Sequence, residues 1–202
     1  LRDADIAMYR AKALGKARYE LFDTVMRDQI VRQMALEAEL KRALELGEFR
    51  LWYQPIIALE SRQLHGFEAL LRWQHPERGL LAPGKFMRVL EDTGLIVPLG
   101  IWVLEEACRQ LTSWRHRYFS AAPLKISVNL SARQFQDASF VQRAMAILAE
   151  TGIPAAALAV EVTETALVQD TQDAAAMLKQ LETLGFEIHM DDFGTGYSSL
   201  SY

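Results

Sequence analysis

Thiol chemistry is nearly absent from this chain. Its one cysteine, Cys108, excludes an internal disulfide and suits a reducing, cytoplasmic setting. Flanked by Leu104 and Leu111 in a helical pattern, that thiol is expected to be buried and structural. Excess positive charge is missing as well. A net charge of −4 leaves no basic footprint for DNA, RNA or an anionic membrane. A phosphate-bearing substrate would therefore need metal ions to supply the cations. No apolar run reaches the length of a membrane span and no signal peptide is visible; segments outside this chain could still carry either. His65, His75, His116 and His189 show no paired metal-ligand spacing, which argues against zinc. An initiating methionine is absent too: the chain starts inside a helical pattern and stops in a loop, and is read as a fragment of a longer protein.

Half of the 202 residues are hydrophobic and a quarter charged, enough apolar material for a sizeable core. Residues 3–14, "DADIAMYRAKAL", predict an amphipathic helix and "ARYELFD" a short strand. A long helix is expected from Thr24 to Leu46, stopping at Gly47; it either connects two folded pieces or packs on its own domain. "FRLWYQPIIAL" and "QLHGFEALLRW" then predict a hairpin around Glu60–Arg62. Helices follow near Pro83–Gly94 and over 99–117, a strand over 124–130, a helix over 138–150, a strand over 158–164, a helix over 171–185 and a strand over 186–192. Such alternation implies right-handed crossovers and a parallel sheet, either a doubly wound open sheet or a (β/α) barrel.

Polar residues at the strand ends favour the barrel. Glu68, Asn129, Glu161 with Glu164, and Asp191 with Asp192 each lie late in a strand, and a barrel gathers those ends on one face. The set offers only oxygen donors, which suits hard ions such as Mg²⁺ or Mn²⁺. Four carboxylates around one ion over-supply negative charge. Two ions about 3.5–4 Å apart, bridged by Asp191, would balance it, activate a water and clamp a phosphate. The stretch "FGTGYSSL" (193–200) reads as a lid or partner-facing loop over that site, or as a plain connection. His189 shares parity with Asp191 and is expected to be a packed lumen residue rather than a catalytic one.

Several segments carry a family resemblance. "YQPI" (53–56), "GFEALLRW" (66–73), "LGIWVLEEACRQLTSW" (99–114), "VNLSARQF" (128–135), "EVTET" (161–165) and "DDFGTGYSSL" (191–200) resemble the motifs of EAL-family cyclic-di-GMP phosphodiesterases. The likeness runs from about Leu36 to Tyr202. It implies a TIM-like barrel that cuts one phosphodiester of cyclic-di-GMP, giving linear pGpG in bacterial second-messenger signalling. It implies Glu68, Asn129, Glu161, Asp191 and Asp192 as metal ligands, with Mg²⁺ or Mn²⁺ and two ions per site. Glu68, Asp191 and Asp192 would act in catalysis, and Glu164 would steady the loop that starts at Phe193. Gln54, Leu71 and Arg72 would contact the dinucleotide, Arg72 either on a phosphate oxygen or in a salt bridge to a neighbouring acid. Arg88 stands where the family often has proline, a helical change expected to leave catalysis alone.

Residues 1–23 are similar to the tail of GGDEF diguanylate cyclases, with Lys12 and Lys16 where that family contacts phosphate. The expected order is therefore a GGDEF tail (1–23), a helical linker (24–35) and the first two-thirds of an EAL domain (36–202). A complete barrel takes roughly 250 residues, so the barrel is expected to be incomplete, truncated at its C-terminal end. The family's catalytic lysine, a further metal-binding glutamate and a glutamine would lie past Tyr202, and the 202-residue piece alone is expected to be inactive. The intact protein is expected to be a homodimer with upstream GGDEF and sensory domains. The alternatives are a non-catalytic cyclic-di-GMP receptor signalling through the 24–46 helix, and a metal-dependent hydrolase of another phosphoester.

Overall fold

The computed structural model describes residues 24–118, 124–163, 166 and 171–191. The predicted helix over 3–14 and the strand after it lie outside these. The chain divides into two compact units, Leu1–Leu46 and Gly47–Tyr202. Of the first unit the described part is one helix, α1 (Thr24–Glu45). It lacks glycine and proline and carries a Lys41–Glu37 pair at 2.7 Å one turn apart. Exposed contacts of this kind are worth a few tenths of a kcal/mol, about 0.3–0.5, so propensity rather than charge sustains the helix.

The second unit begins with the expected hairpin. Strands β1 (Phe49–Ile57) and β2 (Leu64–His75) pair antiparallel, Gln54 facing Glu68 and Trp52 facing Leu70. The parallel strands β4 (Lys125–Leu130), β5 (Leu158–Thr163) and β6 (Glu187–Asp191) extend the sheet in the order β1-β2-β4-β5-β6. A three-residue strand, β3 (Gly79–Leu81), pairs with Trp73–His75 of β2; it is too short to show an alternation in sequence. Helices α2 (Met87–Thr93) and α3 (Ile96–Arg117) link β2 to β4, α4 (Phe140–Thr151) links β4 to β5, and α5 (Thr171–Leu184) links β5 to β6.

One face of the sheet is apolar. Ile126, Val128, Leu130, Leu158, Val160 and Val162 pack into a single core with Leu104, Ala107, Cys108 and Leu111 of α3, Phe140, Ala144 and Ile147 of α4, and Ala174, Met177 and Leu181 of α5. Cys108 is fully buried there, as expected. On the hairpin the odd-numbered residues share this face, with Trp114 of α3 lying on Tyr53 and Phe67 at 4.8 and 4.5 Å between ring centres. The alternate residues of β4 and β6 are polar, as are Glu161 and Thr163 of β5, which follow the small Ala159. A doubly wound sheet carries helices on both faces and so needs apolar residues on both. Helices on one face and polar residues on the other make this the wall of a TIM-like (β/α) barrel.

Two details differ from the sequence pattern. Helix α3 starts at Ile96, not Leu99, because Pro98 sits in the first turn, where a missing N–H breaks no internal bond. Near Pro83 a short 3₁₀ turn (Pro83–Lys85) precedes α2, and Phe86 between them is buried against Trp73 and Phe49. Burying such a ring is worth about 1.5–3 kcal/mol, which explains the break. One glycine is dictated by packing. A Cβ on Gly66 would lie 2.5 Å from the Lys125 carbonyl oxygen, so the β2–β4 pairing admits no side chain there. Among the described residues no helix is long and apolar enough to cross a membrane.

Candidate active site

Strand parity assembles the site. On the non-helical face β2 presents Glu68, Leu70 and Arg72, β4 Ser127 and Asn129, β5 Glu161 and Thr163, and β6 His189 and Asp191. Register aligns them: Asn129 pairs with Glu161, Glu161 with His189, and Thr163 with Asp191. Strand β1 adds Trp52 and Gln54, the latter directly opposite Glu68.

The contacts follow from that alignment. The Asn129 Nδ2 donates to Glu68 Oε1 at 2.9 Å. The Glu161 carboxyl is held above the ordinary range, first by burial. A hydrogen bond from the buried Ser127 pulls it down, Glu68 and Asp191 push it up by like charge, and His189 opposes them. Glu68, Glu161 and Asp191 therefore sit within electrostatic reach of one another. Among the described residues, however, no three Asp, Glu, His or Cys side chains converge closely enough to hold an ion. Asp192 and Glu164, together with the loop from Phe193, lie outside the described residues.

Deeper in the face, Lys125 and Glu187 form an ion pair that spans β4 and β6 above the small Ala159 of β5. The Lys125 ammonium is the main reason the Glu187 carboxyl is held below its usual value. His189 shares this face, as its parity predicts, but it is half-exposed rather than packed, its Nε2 3.6 Å from Glu187 Oε2.

The three expected dinucleotide contacts divide. Gln54 and Arg72 share the face of Glu68. Leu71 does not: it has the opposite parity and is 8 % exposed in the core beside the helices. Leu70 stands between Glu68 and Arg72 on the site face instead, a correction that period-two alternation requires. Arg72 donates from Nη1 to the Leu71 carbonyl at 2.7 Å and lays its guanidinium over Trp52, 5.5 Å from the ring centre. Among the described residues it makes no ion pair with an acid.

The loop after Asn129 is pinned by a side chain that carried a readable signal, Ser131-x-x-Gln134. Gln134 Oε1 accepts from the Ser131 N–H at 3.0 Å and its hydroxyl at 3.1 Å, a capping box opening the 3₁₀ turn Ala132–Gln136. Gln134 is 2 % exposed and fills the space over Gly100 of α3, where a Cβ would meet its Nε2 at 2.0 Å. Beside this loop a cleft of about 310 Å³ reaches from Asn129 and Thr163 to Glu91 of α2. Burial, then Asp92, raises the Glu91 carboxyl pKa. Ser127, Trp52 and Glu91 are the site neighbours that motif reading does not single out.

A family model described as the EAL domain matches residues 37–202. The chain belongs to the EAL domain family. The chain is 42% identical over 200 residues, 99% of its length, to the bifunctional diguanylate cyclase/cyclic di-GMP phosphodiesterase MucR of Pseudomonas aeruginosa, of which it covers 29%. It is 39% identical over 201 residues to the cyclic di-GMP phosphodiesterase PdeR of Escherichia coli, covering all of this chain and 30% of that protein. Among solved structures, the MucR phosphodiesterase in complex with c-di-GMP matches with a TM-score of 0.76 and 43% identity, over 83% of this chain and 67% of that one. The chain thus spans under a third of the length of these curated relatives.

Proposed function

We propose that this EAL domain, within its intact protein, hydrolyses one phosphodiester of cyclic-di-GMP to linear pGpG. The observation that carries the reading is the gathering of Glu68, Asn129, Glu161 and Asp191 on one barrel face, the last three late in their strands and Glu68, against expectation, within the first half of the long β2. Two relatives named as cyclic di-GMP phosphodiesterases align along nearly the whole chain.

The donor set fits a hard divalent cation, Mg²⁺ or Mn²⁺. It is built of oxygens, and Glu161, whose carboxyl is raised first by burial and then by the charges of Glu68 and Asp191, would be relieved by a nearby positive charge. Glu68, Asn129, Glu161, Asp191 and Asp192 would hold the metal, two ions with Asp191 shared. When bound, such ions supply an activated water and neutralise a phosphate. The chain's own side chains do the rest. Arg72 binds a phosphate oxygen, Gln54 and Leu70 contact the dinucleotide, Ser127 fixes the Glu161 carboxylate by its hydroxyl, and Asn129 fixes Glu68 through its amide. Glu164 steadies the loop from Phe193.

We further place residues 1–23 as the end of a GGDEF domain and 24–35 as a linker into the EAL domain from residue 36, in a homodimeric cytoplasmic protein with sensory segments upstream. Alignment of the whole chain with a relative whose name joins cyclase and phosphodiesterase supports this order. The test is incubation of the full-length protein with cyclic-di-GMP and Mn²⁺ or Mg²⁺, followed by chromatography. Accumulation of pGpG supports hydrolysis; tight binding without product makes the protein a receptor; neither result leaves the reading without support.

A further inference from the structure

We propose that Trp52 is a positioning residue for Arg72, its indole holding the guanidinium at the rim of the site before a phosphate arrives. The proposal rests on the reading of Arg72 as a phosphate ligand and adds the residue that prepares it. Three observations carry it. The Arg72 guanidinium lies 5.5 Å from the centre of the Trp52 ring, within cation–π range. Trp52 faces Leu70 across the antiparallel ladder, so it is the diagonal neighbour of Arg72 on the same face as Glu68 and Gln54. Arg50, which stands directly opposite Arg72, is drawn elsewhere: its Nη1 donates to the carbonyls of Gly47 and Phe49, both at 2.6 Å. Like charges facing each other on a ladder repel, and this arrangement keeps the two arginines apart.

The stack has a use. A free arginine loses many rotamers when it grips an anion, which weakens binding. A guanidinium already laid on a ring has given up that freedom beforehand, and the Leu71 carbonyl fixes its second direction. Trp52 is 54 % exposed, large for a tryptophan with no partner but natural for one that serves a group at a site's mouth.

Steady-state cyclic-di-GMP hydrolysis by the full-length protein tests this. Trp52→Ala is expected to raise KM about threefold to tenfold and leave kcat within about twofold, the pattern of lost uniform binding. Trp52→Phe should fall between, and Trp52→Leu, which keeps apolar bulk without a π face, should match alanine. In an Arg72→Ala background Trp52→Ala should add nothing. An unchanged KM in Trp52→Ala overturns the proposal. So does an equal loss in the Arg72→Ala background, which would mean that the indole meets the substrate itself or merely supports the hairpin. The leucine variant guards against a hairpin that fails to fold. A wild-type protein that neither binds nor cuts cyclic-di-GMP would sink the functional reading and this inference together; an active one indifferent to Trp52 sinks the inference alone.

Discussion

The Asn129 amide donates to the Glu68 carboxylate across 2.9 Å, tying β4 to β2 at the level where the site opens. Replacing Asn129 by aspartate turns this bond into a repulsion. In EDTA, Asn129→Asp should lower unfolding free energy by about 1 kcal/mol, the net worth of such a bond near solvent. Added Mn²⁺ should restore more stability to the variant than to wild type. Equal urea midpoints for both proteins in EDTA would show that the bond supports nothing.

Glu161 gives a pH dependence whose sign is fixed by its raised pKa. Between the ordinary carboxylate value and the raised native one, the folded protein binds more protons than the unfolded chain. Stability of the metal-free protein therefore falls as pH rises through that window. Glu161→Gln should flatten this slope and leave the metal-free melting temperature at neutral pH equal or higher. The same variant should lose the rise in melting temperature that Mn²⁺ produces. Thermal melts from pH 4 upward, with and without metal, measure both effects.

Asp191→Asn removes a charge from the proposed shared ligand. Turnover in the full-length protein should drop about 10²- to 10³-fold, the scale of losing one charge-stabilising group. Asp191 is exposed at the end of its strand, so circular dichroism and the metal-free melting temperature should stay near wild type. Near-normal turnover would remove Asp191 from the site.

Gly100 and Gln134 should behave as a coupled pair. A methyl group at Gly100 meets the Gln134 amide at 2.0 Å and expels it from the capping box. Gly100→Ala should cost about 1–3 kcal/mol, the usual scale of overpacking. Adding Gln134→Ala makes room, so the double variant should be more stable than the sum of the two losses predicts. Strict additivity in chemical denaturation would show that the loop relaxes independently of α3.

Much of this was legible in the residues because alternation is a direct record of which side faces the helices. Val128, Val160 and Ile188 against Asn129, Glu161 and His189 mark two faces, and the strand ends mark the mouth. Motif position without parity misplaces Leu71, which alternation turns into the core while Leu70 takes the site face. The Arg72–Trp52 stack needs the register of two antiparallel strands, which no single stretch contains. Ser127 carries no signal of its own: its role comes from Glu161 on the neighbouring strand. Cleft residues such as Glu91 arrive from α2, far in sequence from Asn129 and Thr163, so no local pattern announces them.

The Lys125–Glu187 bridge joins the first residues of β4 and β6, at the end of the strands opposite Asn129 and Asp191. Strand β5 runs between these two strands, so the bridge ties together neighbours that share no backbone ladder, and its loss would free β6 from β4 without removing a single main-chain bond.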